Sequence, residues 1–149
     1  MSERGGFFKI CSFDYWKNFF NFEESEIKER LKSTATCANL GSLLYDDPDL
    51  YNPVWINMTL VFSLIVVSNI AWYLKTKENF HFDYKVVPKA FNIVWGLAFI
   101  VPSLSCLMFF VFGFSMSFKT IISIFAIYSY SNIYFVLASF FTIIPIKIF

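Results

Sequence analysis

Residues 54–74 read VWINMTLVFSLIVVSNIAWYL, 21 consecutive residues without a charge. A helix needs about 20 residues to cross a hydrocarbon core of ~30 Å, so this run makes one span. Two longer runs follow. Ala90–Phe118 has 29 uncharged residues and Thr120–Ile146 has 27, with only Lys119 between them. At ~1.5 Å per residue, 90–146 is too long for one crossing. Three crossings would leave ~19 residues each and no room for turns. The chain therefore turns back once, and Gly113-Phe114-Ser115-Met116-Ser117 supplies the glycine and serine punctuation. The expected spans lie near 54–74, 91–112 and 121–144. Barrel strands alternate lipid-facing and lumen-facing residues, whereas these runs are apolar on every face. A lipid-exposed segment must also satisfy its own backbone, which selects the helix. Pro102 is expected to kink the second span. Trp55, Trp72 and Tyr73 bracket the first, where aromatic rings favour the membrane interface.

Composition agrees. Of 149 residues, 57% are hydrophobic and 15% charged, and Phe alone accounts for 21. A soluble domain carries about 25% charged residues. The charges are segregated: residues 1–53 hold six basic and nine acidic groups, and the other 96 residues hold six and two. The net charge of +1 comes with no basic cluster, so there is no electrostatic footprint for nucleic acid. The reading is an all-α membrane protein with three transmembrane helices. Residues 1–53 form an N-terminal segment with a short amphipathic helix, and 54–149 form the transmembrane domain.

Within the N-terminal segment, Tyr15, Trp16, Phe19 and Phe20 recur at helical spacing. Asn21 is expected as an N-cap, with Glu24 completing a capping box. Glu24/Lys28 and Glu26/Arg30 are i,i+4 pairs, and Ile27 with Leu31 makes a small apolar stripe. Such a segment packs either against the membrane surface or spans, or as a short helix in water. Residues 33–44, rich in Ser, Thr, Ala and Gly, read as a linker. Pro48 and Pro53, set among Asp and Asn, make a rigid elbow ahead of the first span.

Familiar chemistry is missing. Three widely spaced cysteines and one histidine, His81, cannot supply the paired ligands of a structural zinc site, and no metal or cofactor is expected. There is no P-loop, dinucleotide fingerprint or nucleophile elbow, so no catalytic residue is assigned. No Asp, Glu, Lys, Arg or His lies inside the three expected spans, which argues against a pump or ion-coupled transporter. Asn57-Met58-Thr59 matches a glycosylation sequon but falls inside a span. Tyr128/Asn132 and Tyr130/Tyr134 put two polar stripes on the third span. These can meet a partner membrane protein or the chain's own helices.

Asp49-Leu50-Tyr51-Asn52-Pro53-Val54-Trp55-Ile56 followed by Thr59-Leu60-Val61-Phe62 resembles the D-L-Y-G-P-F-W-I…T-L-V-F stretch of the Yip-domain family, YIPF-type membrane proteins of the Golgi and ER exit that interact with Rab GTPases. Asn69 is similar to the asparagine of its G-N-L, and Phe82-Asp83-Tyr84-Lys85-Val86-Val87 to its Y-D-F-x-K-V. Pro102 matches a mid-span V-P, Ile127-Tyr128-Ser129-Tyr130-Ser131 resembles Y-G-Y-S, and Ile143-Ile144-Pro145 resembles I-I-P. Upstream, residues 13–22 resemble F-x-Y-Y-x-x-F-F-D-V. Two motif glycines are replaced, by Asn52 and by Ser129. Asn tolerates turn geometry, and serine is bulkier where helices approach closely.

The resemblance implies a non-catalytic protein of vesicular transport between ER and Golgi. It would sit in the lipid bilayer with its N-terminus in the cytosol and engage Rab GTPases and other Yip or Yif proteins. The implied partner-binding residues are Asp49, Leu50, Tyr51 and Pro53 at the elbow and Tyr128, Tyr130 and Ser131 in the third span. Loop 75–89, with four lysines, is the basic one, and the positive-inside rule would put it in the cytosol, against the family orientation. Family members have five spans and a longer N-terminal region. The expectation is therefore a truncated product, an incomplete gene model, a reduced homologue or a nonfunctional fragment. The other functional alternative is a small channel or lipid-handling subunit.

Overall fold

A computed structural model of the chain describes residues 13, 17, 20, 23–36, 48–76 and 81–142. Four helices are laid out among these residues, α1 (Glu24–Thr36), α2 (Tyr51–Thr76), α3 (Val86–Val111) and α4 (Phe118–Phe141). The last three are each long and apolar enough to cross a membrane; they match the three expected spans, with α3 ending at Val111 and α4 at Phe141, short of the 144 expected for the third, whose last two residues lie outside the described ones.

The turn between α3 and α4 forms where glycine allows it. Gly113 has φ +79°, the left-handed conformation that glycine adopts without penalty. Its N–H donates to Phe110 O at 3.0 Å, and the Phe114 N–H donates to Phe109 O at 3.1 Å. These are the two bonds of a Schellman cap. The hydrophobic contact that accompanies such a cap is the edge-on pair Phe109/Phe114, with centroids 5.9 Å apart. Ser117 then caps α4, its side chain accepting from the Lys119 N–H at 3.2 Å. Pro102 lies buried inside α3, which stays helical from Val86 to Val111.

α2 packs against both α3 and α4, most extensively against α4. Small residues set the approach. Ala126 is fully buried beside Ile56 and Tyr130, and Ala90 and Val94 meet Leu60 and Val61. Between helices in lipid, close packing and polar contacts replace the hydrophobic driving force. The connection before α3 is fixed by Asn69, whose Oδ1 accepts the Asp83 N–H at 3.0 Å. Trp55, Trp72 and Tyr73 all face outward.

The N-terminal helix departs from expectation at both ends. Glu23 O accepts the first helical bonds, from the N–H groups of Glu26 and Ile27, so α1 starts later than an Asn21 cap would set. Asn21 itself lies outside the described residues, as do Tyr15, Trp16 and Phe19. At the other end α1 runs through 33–36, read above as linker. Thr34 and Thr36 return their hydroxyls to Arg30 O at 2.8 Å and Lys32 O at 3.0 Å, a local bond that lets threonine sit inside a helix. The Glu24/Lys28 pair forms at 2.6 Å. Arg30 is buried and turned toward Asp49.

Ala126→Phe should lower the stability of the purified chain by about 1–3 kcal/mol through overpacking. Leu137→Ala, at an exposed position on the same helix, should change it little. Thermal unfolding followed by circular dichroism in detergent checks both.

Candidate polar site at the elbow

The elbow is built around one carboxylate. Asp49 is completely buried. Its Oδ1 accepts the Asn52 N–H at 3.0 Å, satisfying a backbone donor that the first turn of a helix leaves open. Pro53, next along that turn, has no N–H to lose. Asp49 Oδ2 accepts from Asn52 Nδ2 at 3.2 Å and from the Tyr130 hydroxyl, and faces Arg30 Nη1 at 3.5 Å. The Tyr130 oxygen in turn accepts a second Asn52 Nδ2 bond at 2.7 Å. Three segments, α1, the elbow and α4, thus converge on one carboxylate.

The level of this cluster matters. Tyr130 lies twelve residues beyond the first residue of α4, ~18 Å along its axis at 1.5 Å per residue. The start of α2 therefore meets α4 near its middle. The three spans contain no Asp, Glu, Lys, Arg or His in their central parts, yet folding carries Arg30 and Asp49 from the flanking segments to mid-α4. The side chains of the pair are 8% and 0% exposed. Such a pair is costly to bury and holds only if its remaining donors and acceptors are met. Both Asp49 oxygens are engaged within the chain, so the cluster closes as a lock around the carboxylate.

Further along, the polar side chains of α2 and α4 meet each other. Asn57 Nδ2 donates to Ser129 Oγ at 3.1 Å, Asn132 Nδ2 donates to Asn57 Oδ1 at 2.8 Å, and Ser139 Oγ donates to Ser63 Oγ at 3.2 Å. Asn57 is buried by this contact, so the sequon is closed to modification. The Tyr134 hydroxyl donates to Thr34 O and ties α4 to α1 a second time. Apart from Tyr128, the stripe residues of α4 bond within the chain.

The seven residues singled out from the sequence separate into three groups by burial. Asp49, Pro53 and Tyr130 are buried inside the bundle. Leu50 and Tyr128 are half-buried, and Ser131 is exposed, its hydroxyl donating to Tyr128 O at 2.6 Å. Tyr51 is exposed and packs on Trp55 with centroids 6.2 Å apart. Both glycine replacements fall on the α2–α4 contact. Asn52 is helical rather than in a turn, and its amide bridges Asp49 to Tyr130, while Ser129 receives the Asn57 amide. Arg30 was not among the sequence candidates. Its one signal was a cation beside the Ile27/Leu31 stripe. His81 is exposed, and no group of metal-binding side chains occurs among the described residues.

Asp49→Leu leaves Arg30 buried without its counter-charge and should destabilise the chain by about 3–5 kcal/mol. Adding Arg30→Met should recover much of that loss. Denaturant titration of the four chains of this cycle checks the coupling, and strict additivity would show that the pair is not a unit.

Compared with known proteins, the chain is 27% identical over 139 residues to a protein named YIPF1 homolog from Dictyostelium discoideum. The match covers 90% of this chain and 39% of the relative's length, and it supports a Yip-family relationship. No family model matches the chain, and no solved structure matches it.

Proposed function

We propose that this chain, as a relative of the Yip family, is a non-catalytic membrane protein of vesicular transport between ER and Golgi. In this reading it sits in Golgi or ER-exit membranes with its N-terminus in the cytosol. It contacts Rab GTPases and other Yip or Yif proteins. The observation that carries the reading is the likeness to a YIPF1 homolog across 90% of the chain. The geometry is compatible with it: Asp49 and Asn52 of the elbow motif and Tyr130 of the third-span motif meet in one buried lock.

The lock assigns different roles to the motif residues. Asp49, Pro53 and Tyr130 are buried and shape the elbow from within. Tyr51 and Trp55, at 37% and 58% exposure, carry the contact with a partner. Aromatic side chains anchor interfaces well because they bring much area at little entropic cost. Tyr128 and Ser131 form a second, smaller contact on α4.

The test is affinity capture of the tagged chain from mildly solubilised membranes. Rab GTPases and Yip or Yif proteins should be enriched. Tyr51→Ala with Trp55→Ala should lose that enrichment while unfolding at the same temperature. Recovery of chaperones and degradation factors without any Rab or Yip protein would overturn the reading.

A further inference from the structure

A cleft of about 350 Å³ runs between α2, α3 and α4, within the size range of small-molecule sites. Leu60 and Leu64 form one wall, Ile93 and Leu97 a second, and Phe135 and Ala138 the third. Ile93, Leu97 and Phe135 are exposed, so the cleft opens sideways from the spanning helices, into lipid. No charged residue lines it. The Asn132 amide nitrogen and the Ser139 hydroxyl at its floor are already donated within the bundle, to Asn57 and Ser63. The Thr142 hydroxyl is likewise spent, on Ser139 O, and Tyr128 adds one hydroxyl to an otherwise apolar lining, so the occupant is mainly apolar. A helix of ~10–12 Å diameter would fill about 350 Å³ in less than one turn, so the volume suits a single slender hydrocarbon chain better than a helix.

A charge stands one helical turn before the cleft wall of α3. Lys89, Ile93 and Leu97 follow one another at intervals of four and share one face of α3. Lys89 is exposed and makes no ion pair among the described residues. It stands in the first turn of α3, at one end of a helix long and apolar enough to span a membrane. A tail lying along Ile93 and Leu97 would bring the head group of its lipid to that ammonium. We infer that the cleft binds one acyl chain of an anionic glycerophospholipid whose phosphate pairs with Lys89. This site is separate from the elbow and does not rest on the trafficking role.

The test is native mass spectrometry of the full chain in detergent with dioleoylphosphatidylglycerol or dioleoylphosphatidylcholine. The native chain should retain one lipid and favour the anionic one about fivefold, the factor one interfacial lysine contributes. Lys89→Gln should keep the lipid and lose the preference. Ala138→Trp, at an exposed position on the cleft wall, should abolish retention, while Leu104→Trp, exposed and outside the cleft, should not. Circular dichroism confirms that each variant is folded. Equal retention by Ala138→Trp and the native chain would overturn the inference. So would equal loss by both tryptophan variants, or a lipid-free dimer broken by Ala138→Trp, which would make the cleft a seat for a second copy.

Discussion

Burying the Asp49 carboxylate is the constraint that the rest of the bundle serves. A carboxylate removed from water costs several kcal/mol unless its oxygens are met, and here they are met from three directions. The Asn52 N–H comes from the helix that Asp49 itself starts, the Tyr130 hydroxyl from α4, and the guanidinium from α1. Each donor fixes one element relative to the others. Asn52 sets where α2 begins, Tyr130 sets the register of α2 against α4, and Arg30 holds an otherwise water-facing helix on the bundle.

That register propagates. With Asn52 against Tyr130, Asn57 falls between Ser129 and Asn132, and Ser63 falls opposite Ser139. Interhelical bonds of this kind contribute roughly 0.6 to 2 kcal/mol each, so together they specify one alignment of two otherwise greasy helices. A one-residue slip would leave several amides and hydroxyls unpaired in a dry interface, where each costs about 1–3 kcal/mol. The cleft beside Ile93 and Phe135 sits along the same α2–α4 contact, so its shape depends on the same alignment.

The spans and their turn were legible because length and apolarity alone set them. A run such as 54–74 has no other stable form in lipid, and Gly113 is the glycine of the run next to the only charge. The stripes on α4 were legible as polar, though not which of two surfaces they would meet. Arg30 was hidden for a different reason. In the sequence it stands four residues after Glu26 on an acidic helix and reads as half of a solvated pair. Its burial comes from a contact with Asp49, nineteen residues away, that local spacing cannot encode. The extension of α1 through Thr36 was hidden because Ser and Thr serve both linkers and helices, and docking of Thr34 beneath Tyr134 decides between them.

The central claim is that α1 is bound to the membrane bundle through Arg30 and Asp49. Amide hydrogen exchange of the chain in lipid nanodiscs tests it most directly, since exchange reports local opening. The amides of 30–34 in native α1 should be protected, and in Asp49→Leu they should exchange freely while those of α3 remain slow. If the α1 amides exchange in the native chain as fast as in the isolated peptide, the lock does not form and the account is wrong.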